Sequence, residues 1–203
     1  MKAVLAASCL LLAVLPMCKP DATKSTSADT AAVVNPASPA EVRAQFDILR
    51  DSADANWQRM MTSDDQKLAD MRGLVQDLKQ QRGLNAAQLR LLNQATARLK
   101  AQRYDRQSMA SSALIDGYDA AQDSVLHTLT PLAAPDGNAP TARIRDYVEH
   151  IQLADGNVVS YRAHYDAAAK AYNNYLRLHQ AELAKMGSKY DSLRPLPLFE
   201  LSH

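Results

Sequence analysis

Tyr161, Tyr165, Tyr172 and Tyr175 fall on one face of a helical repeat. Phenol rings so placed can line a groove for another helix or for acyl chains. They can also simply pack, with their hydroxyls at the edge of a seam, and packing is the simpler reading. Other side chains with chemical reach are sparse. His127, His150, His164, His179 and His203 never pair at i, i+4. Bundle metal centres use Glu-x-x-His pairs facing inward from two helices. The one such spacing here, Glu200 to His203, lies at the chain end, so no metal is expected. Asp146 with His150, and His179 with Glu182, read as surface contacts. There is no G-x-S-x-G, no Gly-rich phosphate loop and no thiol beyond Cys18 and the earlier Cys9. Neither a catalytic set nor a cofactor is therefore expected. The basic run Arg98, Lys100, Arg103 and Arg106 is interrupted by Asp105 and reads as a solvated helix face, not a nucleic-acid surface.

The elements that would position these residues are helical. From Ile144 to Tyr175 the apolar positions step three, four, three, four: Ile144, Tyr147, Ile151, Ala154, Val158, Tyr161, Tyr165, Ala168, Tyr172, Tyr175. That alternation keeps one narrow seam toward a helical neighbour. It predicts a continuous helix through Gly156 to about Met186, ended by Gly187. Upstream, Ser38-Pro39-Ala40-Glu41 is a strong helix start, and an apolar stripe runs from Val42 to Leu78 with a slip between Ala53 and Met61. Arg82-Gly83 should end that helix. Asn85 caps a second segment whose face fades between Lys100 and Ser112 and resumes at Leu114. Either one helix runs from 86 to 129 with a polar waist, or two meet near Ser111. The waist is a solvent-facing hinge or a place for a partner to dock. Pro131 to Pro140 reads as a loop, and the tail from Ser188 as extended, with Leu198 and Phe199 buried. The three segments, 39–82, 86–129 and 140–186, are near equal at roughly 65–70 Å each. The fold class expected is all-α, an elongated antiparallel up-and-down bundle of three long helices, or four if the second is broken near Ser111.

Bulk composition agrees. Gly is scarce at 6 of 203 residues, and the formal net charge is +1, which offers no field for nucleic acid. The first residues stand apart from the fold. Lys2 precedes an apolar stretch from Ala3 to Leu15, the length of a signal-peptide core and too short to span a bilayer. Leu15-Pro16-Met17-Cys18 follows and resembles a bacterial lipoprotein cleavage site, in which the cysteine takes a diacylglycerol and becomes the mature N-terminus. Residues 1–17 thus read as a signal peptide. Residues 18–37, rich in Ala, Ser, Thr, Asp and Lys, without a periodic apolar face and bearing Pro20 and Pro36, read as a lipid-anchored flexible tether, and 38–203 as the bundle. No cysteine follows Cys18, which suits an exported domain without disulfides.

Arg162-x-x-Tyr165-Asp166, then Tyr172-Asn173 and Leu176, resembles the LemA family of bacterial proteins, which carry an R-x-x-Y-N…Y-N pattern on a long late helix. Trp57 and Leu74-Val75 on the first helix and Phe199-Glu200 near the end follow the same order of parts. Asp166 stands where the family has Asn, Ala169 where it has Val, and His179-Gln180 where it has Phe-Pro. The resemblance implies an antiparallel helical bundle attached to a bacterial membrane, and brings no enzymatic activity. The expected function is a non-enzymatic, membrane-anchored lipoprotein of the cell envelope. It would be a scaffold or accessory protein that meets an envelope protein partner, with no nucleic acid involved. The alternative is a bundle that binds a lipid or small apolar ligand between its helices.

Overall fold

A computed structural model describes residues 38–81, 84–134 and 139–199. Cys18, the leader and tether, Arg82-Gly83, and Glu200 with His203 lie outside the described residues. Among those described, the chain is all-α with no strand: α1 Pro39–Leu78, α2 Ala86–Gln102, a single 3-10 turn Ser108–Ala110, α3 Ser112–Ala133, α4 Ala142–Gly156, α5 Val158–Ala184 and α6 Ser188–Asp191.

Ser38 and Asn85 start the helices expected of them, and Thr141 starts α4. Ser38 Oγ accepts from Glu41 N at 3.4 Å and donates to the Glu41 carboxylate at 3.0 Å, with Pro39 in the first turn. Asn85 accepts from Ala87 N and Gln88 N, and Thr141 from Ile144 N.

The second segment is broken, so the helices are not three of equal length. After Gln102 the chain leaves the helix. Asp105 closes an Asx turn, accepting from Gln107 N at 2.9 Å and Ser108 N at 2.7 Å. Met109, fully buried, pins the turn to the core. α2 and α3 therefore form a hairpin. At 17 and 22 residues they are roughly 25–33 Å long, about half of the 40-residue α1. One core is consequently built from the second half of α1, α2, α3, α4 and the start of α5, and is filled by Leu68, Met71, Leu99, Leu129 and Tyr165. The first turns of α1 meet the second half of α5, α6 and the start of the tail. There Val42, Phe46, Tyr172, Tyr175, Leu183 and Tyr190 form a separate core. α1 runs antiparallel to α2 and to α4–α5, as the pairs Gln76–Asn93, Asp65–Lys100, Lys67–Asp155 and Tyr175–Val42 require.

Three other expectations need correction. Pro131 does not open a loop. α3 runs through it to Ala133, because Leu129 and Ala133 continue the buried stripe and offset the lost N–H. The late helix is interrupted at Asn157, whose backbone stays right-handed and whose N–H still reaches Leu153 O at 3.2 Å. α5 then kinks at His179 (φ −116°, ψ 18°) and stops at Ala184. The left-handed Gly187 (φ +121°) follows three residues later. Residues 188–191 make one helical turn before the tail extends. Phe199 is buried and Leu198 half-buried.

Glycines report how tightly the helices approach. A Cβ on Gly73 would sit 2.5 Å from the Tyr147 ring across the α1–α4 contact, whereas one on Gly117 meets nothing within 4 Å. Gly117→Ala should therefore gain up to about 1 kcal/mol from helix propensity alone. Gly73→Ala gains the same but must expel Tyr147, for a net loss of about 1–2 kcal/mol. Urea unfolding of the two variants checks this. Equal stabilisation by both would mean that α1 and α4 are farther apart than described.

Candidate functional site

The most densely connected polar cluster lies inside the four-helix half, and its hub is Asp64. On α1 the buried residues step Ala53, Trp57, Met60, then Leu68, Met71, Val75, Leu78. Asp64 occupies the seam position between Met60 and Leu68. The wide gap in the apolar stripe between Met61 and Leu68 is therefore a carboxylate at a core register, whereas between Ala53 and Met61, where a slip was expected, the buried residues step on in register through Trp57 and Met60. It is satisfied by two other elements: Arg103 Nη1 donates to it at 2.9 Å, Tyr118 Oη at 2.7 Å and Gln122 Nε2 at 2.9 Å. Burial, reinforced by the Asp64 charge and the hydrogen bond to it, pushes the Tyr118 hydroxyl far above the usual phenol range, so it stays a donor.

The polar waist finds its partner within the chain. Arg103 also reaches Asp65 at 3.0 Å, Lys100 reaches Asp65 at 3.2 Å, and Arg106 pairs with Asp54. The guanidinium of Arg106 lies 5.3 Å above the Trp57 ring. The basic run is thus not a solvated face at Arg103, whose side chain is 15% exposed, although Arg98 is exposed. The only trace of this in the sequence is one of order, readable once the hairpin is known. In an antiparallel pair the acids 54, 64 and 65 of α1 mirror the bases 106, 103 and 100.

A second knot joins α5 to α3 and to the tail. Arg162 grips Asp119 in bidentate fashion at 2.7 and 2.8 Å and donates to Tyr104 Oη at 3.2 Å. Its guanidinium also covers the Phe199 ring at 5.3 Å. One turn on, Tyr165 Oη donates to Pro197 O at 3.1 Å, and Asp166 Oδ1 accepts from Phe199 N at 2.9 Å. Asn173 reads Leu196 from both sides, accepting from its N–H at 2.7 Å and donating to its C=O at 2.8 Å. Phe199 meets Tyr104 and Tyr165 edge-on with centroids 5.7 and 5.8 Å apart.

The four tyrosines of the sequence pattern do not share one cavity. Tyr165 is fully buried against Trp57 in the first core, and burial pushes its hydroxyl up to about 12. Tyr172 packs on Phe46, and Tyr175 donates to Val42 O at 3.2 Å, both in the second core. Tyr161, half-buried, lines a cavity of ≈ 30 Å³ with Asp64, Lys67, Arg103 and Arg162. That volume suits water rather than an organic ligand. Lys67, almost fully buried, crosses to Asp155 on α4 at 3.1 Å. Among the described residues no three His, Cys, Asp or Glu side chains are grouped to hold a metal. His150 faces Asp70 at 3.8 Å rather than Asp146, and His179 meets Glu182 at 3.5 Å as expected, but with its ring buried against Tyr175 rather than at the surface. Chemically, these clusters pair charges and hold phenols neutral.

Comparison of the chain with protein-family models, with curated proteins and with solved structures finds no match.

Burial raises Asp166 above the ordinary carboxylate range, against the Phe199 N–H and Lys170, which oppose the rise. A raised native pKa means the folded state holds its proton longer than the unfolded one. Stability from this group is thus full below the unfolded pKa and falls as pH rises through the native value. Asp166→Asn keeps the acceptor and removes the buried charge. It should raise the urea midpoint at neutral pH and have no effect below about pH 4. A midpoint unchanged at neutral pH would show that Asp166 is well solvated.

Proposed function

We propose that this chain is a divergent LemA-like envelope lipoprotein, held to a bacterial membrane by an acylated Cys18 and acting without catalysis as a scaffold or accessory protein on another envelope protein. The observation that carries the reading is the order of parts: an apolar leader, a cysteine, a polar tether of about twenty residues and then a packed helical domain. Two acyl chains at one cysteine suffice for stable anchoring. No described helix is long and apolar enough to cross a membrane, so in this reading attachment rests on the lipid. The described domain supports action by contact rather than by an interior site. Its buried tyrosines are covered by its own Phe46, Trp57 and Phe199, and Arg103 with Asp64 and Arg162 with Asp119 are spent on one another. Helix surfaces meanwhile expose Ile48, Leu91, Leu153 and Val159 to contact. A lipid held between the helices would first have to displace those aromatic side chains.

The test is metabolic palmitate labelling and affinity capture of the intact, membrane-extracted protein beside Cys18→Ala. Wild type should take up label, sediment with membrane and enrich a partner over a control lipoprotein. The variant should do none of these. Label on Cys18→Ala rejects the anchor, and no enrichment by wild type rejects the scaffold.

A further inference from the structure

The tail is held in the manner of a recognised peptide. Asn173 binds both backbone groups of Leu196, Tyr165 binds the Pro197 carbonyl, and Asp166 binds the Phe199 N–H. The Phe199 ring fills a slot walled by Tyr104 and Tyr165 and roofed by Arg162. Backbone pairing combined with one side-chain pocket is how extended peptides are read in trans. Pro195 and Pro197 favour that extended form before docking, which lowers its entropic cost. The hold is concentrated on Leu196 to Phe199. Just upstream, an open cleft of ≈ 470 Å³ is lined by Leu193, Arg194 and Pro195 of the tail and by Asn174, Arg177 and Gln180 of α5. Behind it, the chain joins α5 through the left-handed Gly187 and one uncapped helical turn.

We infer that the face of α5 from Arg162 to Asn173, with Tyr104, is a peptide-binding site for an extended Leu-Pro-Leu-Phe segment, and that the tail of a second copy of this chain can occupy it in exchange for its own. Every contact named above is between tail and groove, so each forms equally well whichever copy supplies the tail. With Tyr190 still packed on Phe46 of its own copy, the two arrangements differ in how the segment from Ser192 to Pro195 is closed. Exchange of an identical element is a low-cost route to association, and it is driven by protein concentration. A second copy is the favoured occupant because every copy carries the matching sequence. The inference does not depend on the lipid anchor.

Two measurements on the full chain test it. First, a fluorescent synthetic peptide of residues 192–203 is titrated into Phe199→Ala, whose own tail has lost the ring that fills the slot. It should bind saturably, and the same peptide carrying the Phe199→Ala change should bind at least about tenfold more weakly. Equal binding of both peptides overturns the site. Second, with Cys9→Ser and Cys18→Ser as background, chains carrying Arg177→Cys alone are mixed with chains carrying Arg194→Cys alone and treated with a short bis-maleimide. Both positions are exposed and line the same cleft. A covalent dimer whose yield climbs with concentration is expected. Only monomer from the mixture, with internal cross-linking when one chain carries both cysteines, means that the tail never leaves its own groove. No cross-linking in either case means that the tail is not docked there. Either result overturns the exchange. This second arm does not require Phe199→Ala to fold.

Discussion

Asp64→Ala should destabilise the domain by about 3–4 kcal/mol, a fall in melting temperature of roughly 10 °C for a domain of this size. The carboxylate accepts from Arg103, Tyr118 and Gln122, and its side chain is 13% exposed. Alanine leaves the Tyr118 hydroxyl and the Gln122 amide without an acceptor in a buried seam, at about 1–3 kcal/mol for each group so stranded. Arg103 is spared part of the loss because Asp65 remains at 3.0 Å. Asp64→Asn, which keeps the shape and one acceptor, should cost about half as much. The most informative variant removes the whole network. Asp64→Leu with Tyr118→Phe and Gln122→Leu restores an apolar seam and strands no neutral donor, so it should recover most of the loss. Thermal and urea unfolding followed by circular dichroism give the comparison. If alanine costs less than about 1 kcal/mol, Asp64 is hydrated and the hub does not exist.

Asp64 also explains which parts of this fold were legible in the sequence. Helix starts were, because capping is local: Ser38 and Asn85 each bond an amide two or three residues ahead. The long apolar seam was too, since its period survives Gly156. Long-range partners were not. A lone aspartate in an apolar stripe looks like a gap in it until the second and third elements that satisfy it are known. The polar waist was visible as a loss of amphipathicity. Its outcome, a hairpin folded onto α1, depended on pairing Lys100, Arg103 and Arg106 with acids some 35 to 52 residues away. Pro131 misled because burial of Ala133 outweighed a local breaker.

The tail shows the same division at the second knot. Its extended form follows from Pro195 and Pro197, but its address does not. Asp166 and Asn173 bind backbone groups 33 and 23 residues downstream, and no composition or period announces that. The motif that prompted the LemA resemblance does mark the place. Of its residues, Arg162, Tyr165, Asp166 and Asn173 all touch the tail, while Tyr172 packs on Phe46. The spacing that reads as a helix seam is thus also the spacing of a clamp, with hydroxyl, carboxylate and amide at the seam edge facing one extended strand of chain.

Tyr165 carries most of that clamp's apolar contact, and its substitution is the other large expected effect. The residue is fully buried, with Trp57 and Phe199 each edge-on to its ring at 5.4 and 5.8 Å. Tyr165→Ala opens a cavity between α1, α5 and the tail and should cost about 3–5 kcal/mol. Tyr165→Phe removes only the hydrogen bond to Pro197 O and should cost about 0.5–1.5 kcal/mol. Trp57, the sole tryptophan of the chain, reports the difference directly. Its emission should shift to the red in Tyr165→Ala and stay in place in Tyr165→Phe. Coupling then separates a docked tail from a merely nearby one. If Phe199 rests on Tyr165, Tyr165→Ala and Phe199→Ala made together should destabilise by less than the sum of each alone. The difference should be about 0.5–1.5 kcal/mol, the worth of one edge-to-face pair beyond its area. Strict additivity would place Phe199 elsewhere and remove the clamp as the reason these residues lie together on α5.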